Sequence, residues 1–232
     1  MLASRAAPER PDRPFTGFKL AHAVVASEDG QAGFAGLTMG AQRVYGTTAE
    51  AACIWTRRHA PPRRRCSCGF YCLNSLAEAR ALSCATENRD AVLLEVTASG
   101  RFIRYERGLR YSRQRVRAVR VGPCGCGRPA RGLADAGRGL VGWRGLMPVC
   151  AGCGASRALI TFGGFATRLG GQIPVTPDEG AAGWPGQAGE GLPDAGLPDA
   201  AAIAALGAEL ALVHARLDHL QARFNQLEGG ES

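Results

Sequence analysis

The chain has 232 residues, enough for one large domain or two small ones, and 28 Lys+Arg against 20 Asp+Glu give a formal charge of +8. That charge is divided: residues 1–170 carry +15, residues 171–232 carry −7, and of all the cations only Lys19 is a lysine. No apolar run approaches the ~20 residues of a membrane span, and Met1 to Pro14 lacks the apolar stretch of a secretory signal, so a cytoplasmic protein with no membrane association is expected.

Polar, proline-bearing residues 1–14 read as a disordered N-terminus. Residues 15–122 contain most of the apolar periodicity and read as an α+β module carrying a Cys/His set. Within it Lys19–Val25 has the pattern of a strand, and Thr47-x-x-Glu50 is a capping-box pattern that predicts a short helix to about Cys53. Asn74–Ala85, rich in Ala and Leu, predicts a helix. Ala91–Thr97 and Arg101–Arg107 flank Ala98-Ser99-Gly100, which predicts a hairpin with glycine at its apex, and Arg110–Val121 would extend the same sheet. The expected fold class is therefore α+β: a small, mostly antiparallel sheet with short helices. A zinc-ribbon-like segment (123–170), a disordered linker (171–201) and a C-terminal coiled-coil helix (202–228) complete the organisation. The linker assignment rests on 7 Gly and 5 Pro among 31 residues and on the tandem GLPDA at 191–195 and 196–200.

Two cysteine constellations carry the chemistry. In the first, Cys53, His59, Cys66 and Cys68 fall within 16 residues. Thiolate and imidazole are the ligands a tetrahedral zinc ion prefers, Pro61 and Pro62 stiffen the loop between them, and Arg63–Arg65 favour the thiolate form. Cys72 competes for the fourth position. In the second, Cys124-x-Cys126 and Cys150-x-x-Cys153 are each followed by glycine, as in the two knuckles of a zinc ribbon. The stretch between them, 127–149, has few apolar residues, so a metal would supply most of its folding. One or two zinc ions are expected. An iron–sulfur cluster on Cys66, Cys68, Cys72 and a distant cysteine is the alternative, although no C-x2-C-x2-C run is present.

The run His59-Ala60-Pro61-Pro62…Cys66-Ser67-Cys68-Gly69-Phe70-Tyr71 resembles a motif, H-x-x-P…C-x-C-G-aromatic-aromatic, of uncharacterised proteins from actinobacteria and their phages. The similarity takes in Gly17-Phe18-Lys19, Cys53 and the strands after Ala91, about residues 15–121. It implies that the first Cys/His set is one unit and implies no activity. Arginine in place of lysine fits a high-GC genome.

Residues 101–138 hold eleven arginines. On a strand Arg113, Arg115 and Arg117 fall on one face, and with Arg101, Arg104 and Arg120 they form a row able to track phosphates, with Tyr105 and Tyr111 available to stack bases. The alternative is a solvated sheet face. In the tail, Ile203, Leu206, Leu210, Val213, Leu217, Leu220, Phe224 and Leu227 recur in steps of 3 and 4, an a/d seam that predicts homo-oligomerisation through a coiled coil. The alternative is docking on the body of the protein.

No GxSxG, HExxH, Walker A or strand–helix GxGxxG pattern is present. His22, in LAHAVV, reads as a structural histidine. The expectation is a zinc-stabilised, self-associating binding or adaptor protein that contacts nucleic acid through its arginines. A protein–protein adaptor, a metal-dependent hydrolase with Glu50 or Glu78 as base, and a thiol or iron–sulfur redox sensor are the alternatives.

Overall fold

The computed structural model describes residues 14–37, 43–53, 59–178 and 180. The N-terminus to residue 13, the linker from 181 and the whole heptad helix, with Ile203 to Leu227, lie outside the described residues.

The described residues form a mostly antiparallel sheet with short helices, as an α+β chain should. β1 (Phe15–Ala26) is followed by β2 (Ala32–Ala35), β3 (Thr48–Glu50), β4 (Phe70–Leu73) and helix α1 (Leu76–Ser83). Next come the two longest strands, β5 (Ala91–Arg104) and β6 (Gly108–Val121), and the hairpin β7 (Gly132–Leu140) and β8 (Trp143–Val149). The one-turn helix α2 (Ala151–Gly154), β9 (Ile160–Thr161), α3 (Phe162–Arg168) and β10 (Val175–Pro177) complete the series. The pairings β1–β5, β5–β6, β6–β4 and β4–β1 close a ring, so the sheet curls on itself as a small barrel. Closure leaves few free strand edges and gives the side chains inside one shared core.

Alternation along the strands fills that interior. Ala21, Ala23 and Val25 of β1, Val92, Leu94, Val96 and Ala98 of β5, and Val116, Val119 and Val121 of β6 join Phe34, Tyr111 and Phe165 in one cluster. Each valine, leucine or phenylalanine among them removed from water contributes about 1.5–3 kcal/mol. On the opposite face Leu20, Ala79, Ala91 and Leu93 form a smaller cluster under α1.

Several local expectations are corrected. Thr47–Cys53 is not helical: β3 pairs with β6, and Thr47 gives its carbonyl to Val116 N–H at 2.7 Å, so tertiary pairing overrides a local capping pattern. Helix α1 is capped by Ser75, whose side chain accepts from Glu78 N–H at 3.4 Å, while Asn74 reaches the Glu106 carbonyl. Ala98-Ser99-Gly100 is no apex. β5 runs through it with a bulge between Ser99 and Phe102, Gly100 takes φ 76° there, and the chain reverses at Tyr105–Arg107 instead. The stretch 127–149 has more core than its composition suggests. Leu133 and Ala134 are fully buried, Leu146 and Val149 nearly so, and β8 pairs with the end of β1. Within the expected linker, β10 pairs in parallel with β6, and the buried carboxylate of Asp178 takes both nitrogens of an Arg80 fork, Nε at 2.8 Å.

Among the described residues no helix is long and apolar enough to cross a membrane.

Candidate metal centres

The first constellation is assembled along one edge of β6. β5 occupies the other edge, so β4 (against 108–111) and β3 (against 113–115) share this one. Cys53 follows β3, and Cys66 and Cys68 lead into β4, so the shared edge of β6 brings them to the same place. The N–H of Cys66 donates to the Arg63 carbonyl at 3.0 Å, forming a tight turn beneath the ligands. Gly69 then reverses the chain at φ 122°, and a Cβ there would stand 3.0 Å from Arg110 Cγ and 3.3 Å from Pro62 Cβ. Only glycine satisfies both the backbone angle and that approach.

The ligand atoms of Cys53, His59, Cys66 and Cys68 lie within 4.8 Å of one another. Cys53 and Cys66 sulfurs are 3.8 Å apart, and His59 Nε2 is 3.2 Å from Cys68 Sγ. A tetrahedron of ~2.3 Å Zn–S bonds has edges of about 3.8 Å, so the four atoms have the dimensions of one closed site. Cys53 and Cys68 are buried, and burial pushes the Cys68 thiol up to about 12 without a cation. A divalent ion is what would hold that sulfur as thiolate, three thiolates and an imidazole leaving the site at −1 beside exposed Arg63–Arg65.

Arg110 was not among the expected site residues, although it holds the site to the barrel. Its side chain comes off β6 and is only 4 % exposed. Nη2 donates to the Arg63 carbonyl at 3.0 Å, Nη1 to the Cys66 carbonyl and to Tyr71 Oη at 3.3 Å. The fork thus fixes both ends of the ligand turn. Tyr71 adds a third tie, donating to the Ser67 carbonyl at 2.8 Å. One arginine in eleven carries no sequence signal for this role, since its partners are backbone carbonyls more than forty residues away.

Cys72 is not part of this group. Its sulfur turns into the core, where a Cβ on Gly17 would stand 2.4 Å from it, and burial pushes its thiol up to about 11. The expected competition for the fourth position, and the cluster of Cys66, Cys68 and Cys72, therefore have no geometric basis in this arrangement.

The second constellation stands at the end of β6 and the start of α2. Cys124, Cys126, Cys150 and Cys153 again keep their sulfurs within 4.8 Å of one another, Cys126 and Cys150 at 3.6 Å. Gly127, at φ 83°, donates to the Cys124 carbonyl at 2.7 Å and closes the first knuckle. Cys150 caps α2, and its sulfur accepts from the Cys153 N–H at 3.4 Å. That N–H holds the Cys150 thiol low, at about 6, whereas the sulfurs around Cys153 push its thiol up to about 12. Cys124 and Cys150 are buried and Cys126 and Cys153 exposed, so this site meets solvent more than the first does.

The arginine row is only partly as expected. Arg113, Arg115 and Arg117 are exposed, with Gln114 and Val116 buried between them, but β6 bulges at Arg117, so the alternation resets and Arg120 turns outward. Arg113 pairs with Glu50 at 2.8 Å, Arg120 with Glu95 at 3.6 Å, and Arg104 lies over the Phe15 ring. Arg101 is half-buried, its N–H donating to Ser112 Oγ. Arg115 and Arg117 have no carboxylate partner among the described residues. Tyr111 cannot stack bases: it is fully buried and donates to Gln114 Oε1 at 3.0 Å, whereas Tyr105 is 47 % exposed. Glu50 pairs with Arg113 and Glu78 with Arg107, and neither belongs to a ligand group. His22 is half-buried, its basicity lowered by desolvation and by Arg138 against an opposing effect of Asp90.

No family model matches the chain, and no curated protein or solved structure matches it either.

Proposed function

We propose that this is a binding module stabilised by two structural zinc ions, which contacts nucleic acid through its arginines and self-associates through the C-terminal heptads. The observation that carries the metal reading is the pair of four-atom ligand groups, one of three thiols and an imidazole and one of four thiols, each with all its donors within 4.8 Å. Four protein donors complete a tetrahedron and leave no position for an activated water, which favours a structural role over a hydrolase. The Cys53, His59, Cys66 and Cys68 donors would hold one ion, fixing the strand ends around β6. The Cys124, Cys126, Cys150 and Cys153 donors would hold the other, tying β6 to the β7–β8 hairpin.

The nucleic-acid reading is supported by the exposed Arg115 and Arg117 on a body of charge +15, and the oligomer reading by the 3,4 spacing from Ile203 to Leu227. Elemental analysis of protein purified without chelator is the decisive measurement. Two zinc per chain are expected, and iron with visible absorbance would overturn the assignment. Binding to nucleic acid should weaken steeply as salt rises. Removal of 203–232 should leave a monomer in solution, and an unchanged mass would dismiss the coiled coil.

A further inference from the structure

Four large apolar side chains stand exposed among the described residues, and two of them, Tyr71 at 48 % and Tyr105 at 47 %, flank the same guanidinium. Arg110 Cζ is 5.7 Å from the Tyr71 ring centroid and 5.9 Å from that of Tyr105. Tyr71 on β4 is the direct cross-strand partner of Arg110 on β6, and Tyr105 follows the end of β5 on the other side of β6. The cation between them is buried and committed to backbone carbonyls, so it props the rings apart while each keeps half its surface in water. Beside them stand Arg63, Arg64 and Arg65, all exposed on the ligand turn, whereas Arg104 lies over the Phe15 ring and Arg107 pairs with Glu78.

Two half-exposed rings, one of them anchored through its hydroxyl, beside the three guanidinium groups of the ligand turn match a strand whose bases are unpaired: flat apolar faces linked by phosphates. A duplex hides its base faces and offers such rings nothing to stack on. We infer that Tyr71 and Tyr105, with Arg63–Arg65, form a binding surface for single-stranded nucleic acid, each ring stacking on a base while the arginines neutralise the adjoining phosphates. The inference rests on the nucleic-acid reading above and adds to the β6 row a second contact, on the surface over the first candidate metal site. Because Tyr71 bonds to the Ser67 carbonyl between two ligand cysteines, the metal would also fix one of the rings.

The test is fluorescence anisotropy of a labelled oligo-dT with the zinc-loaded full chain at low salt, beside a duplex of equal length. The single strand should bind more tightly than the duplex. Tyr105→Ala should weaken it about 10-fold with zinc content unchanged as the control for folding, and Tyr71→Ala about 10-fold when read on zinc-saturated protein, because its hydroxyl also ties the ligand turn. Tyr105→Phe, which keeps the ring, should bind as the native chain does. Arg115→Ser/Arg117→Ser should weaken single strand and duplex equally. Equal affinity for strand and duplex, or alanine variants that bind as the native chain does, would overturn the stacking surface while leaving the arginine reading intact. No binding of either nucleic acid at low salt would overturn both. Displacement of the oligonucleotide by poly-glutamate with the same tyrosine dependence would reassign the surface to an acidic protein.

Discussion

Arg110 is where a single side chain decides the most. Its fork spans the Arg63 and Cys66 carbonyls, and a lysine, with one compact ammonium, has no geometry for both at once. Arg110→Lys and Arg110→Ala should therefore both weaken zinc at the Cys53/His59/Cys66/Cys68 site by about 10–100-fold, as losses around a metal's ligands do, measured by chelator competition. An Arg110→Lys variant as tight as the native chain would sink that account. Gly69→Ala places a Cβ against Arg110 at φ 122° and should lower stability by about 1–3 kcal/mol in urea titration. Lys19, the one lysine, has its ammonium 4.9 Å from the Tyr45 ring centre and 5.0 Å from that of Phe70, a place a small cation fills better than a planar fork. Cys72 gives a pH signature. Its thiol is raised from 9.0 to about 11, so between those values the unfolded chain releases a proton that the folded chain keeps. Stability contributed by that difference is fully present below pH 9 and declines as pH rises toward 11, by at most about 1.4 kcal/mol per pH unit. Urea midpoints of the zinc-loaded protein should fall across that range, and Cys72→Ala should flatten the slope.

At the level of elements, β6 organises the molecule. β5 lies along one edge, and β4, β3 and β10 follow one another along the other, so both halves of the first metal site and the last strand share one template. β10 is three residues long, and three residues of pairing hold weakly without further support. The Asp178 carboxylate, with no exposed side-chain surface, supplies it by pairing with Arg80 of α1. Removing that carboxylate leaves a half-buried guanidinium unpaired, so Asp178→Ala should cost about 3 kcal/mol. Arg80→Met/Asp178→Leu should cost less than the Asp178 change alone, which a double-mutant cycle in urea would measure. Additive losses would mean that the pair does not couple β10 to α1.

Over the whole molecule, the two candidate metal sites would do different work. The β7–β8 hairpin buries Leu133 and Leu146 in the common core, buries Val149 as well, and pairs with β1, so its strands have support that does not come from a metal. Chelation should therefore leave most of the far-UV strand signal, while limited proteolysis begins at the knuckles of the second site, around 124–128 and 150–157, where Cys126 and Cys153 are exposed. Global unfolding on metal loss would show instead that the core is too small to stand alone. The more buried first site should release its ion more slowly, a difference that two-phase zinc release would record.

Local pattern carried the membership of the two candidate donor groups and the class of the fold. Cysteine spacing singled out both ligand groups, because donors close in sequence can meet through turns that Gly69, Gly127 and the cap of α2 make locally. β1, α1 and β6 were likewise written in periodicity and composition, to within a few residues, whereas β5 reads in sequence as two strands split at Ala98-Ser99-Gly100. What spacing could not contain were partnerships between distant segments. β3 became a strand because β6 lay beside it, Cys72 left the ligand set because its side of β4 faces the core, and Arg110 joined the site from a strand that carries none of the cysteines. Tyr105 and Tyr111 looked alike in sequence, and the direction of the sheet put one in water and the other among valines. A ligand's chemistry is a property of residue type, but which face of a strand meets water is fixed only when the barrel closes.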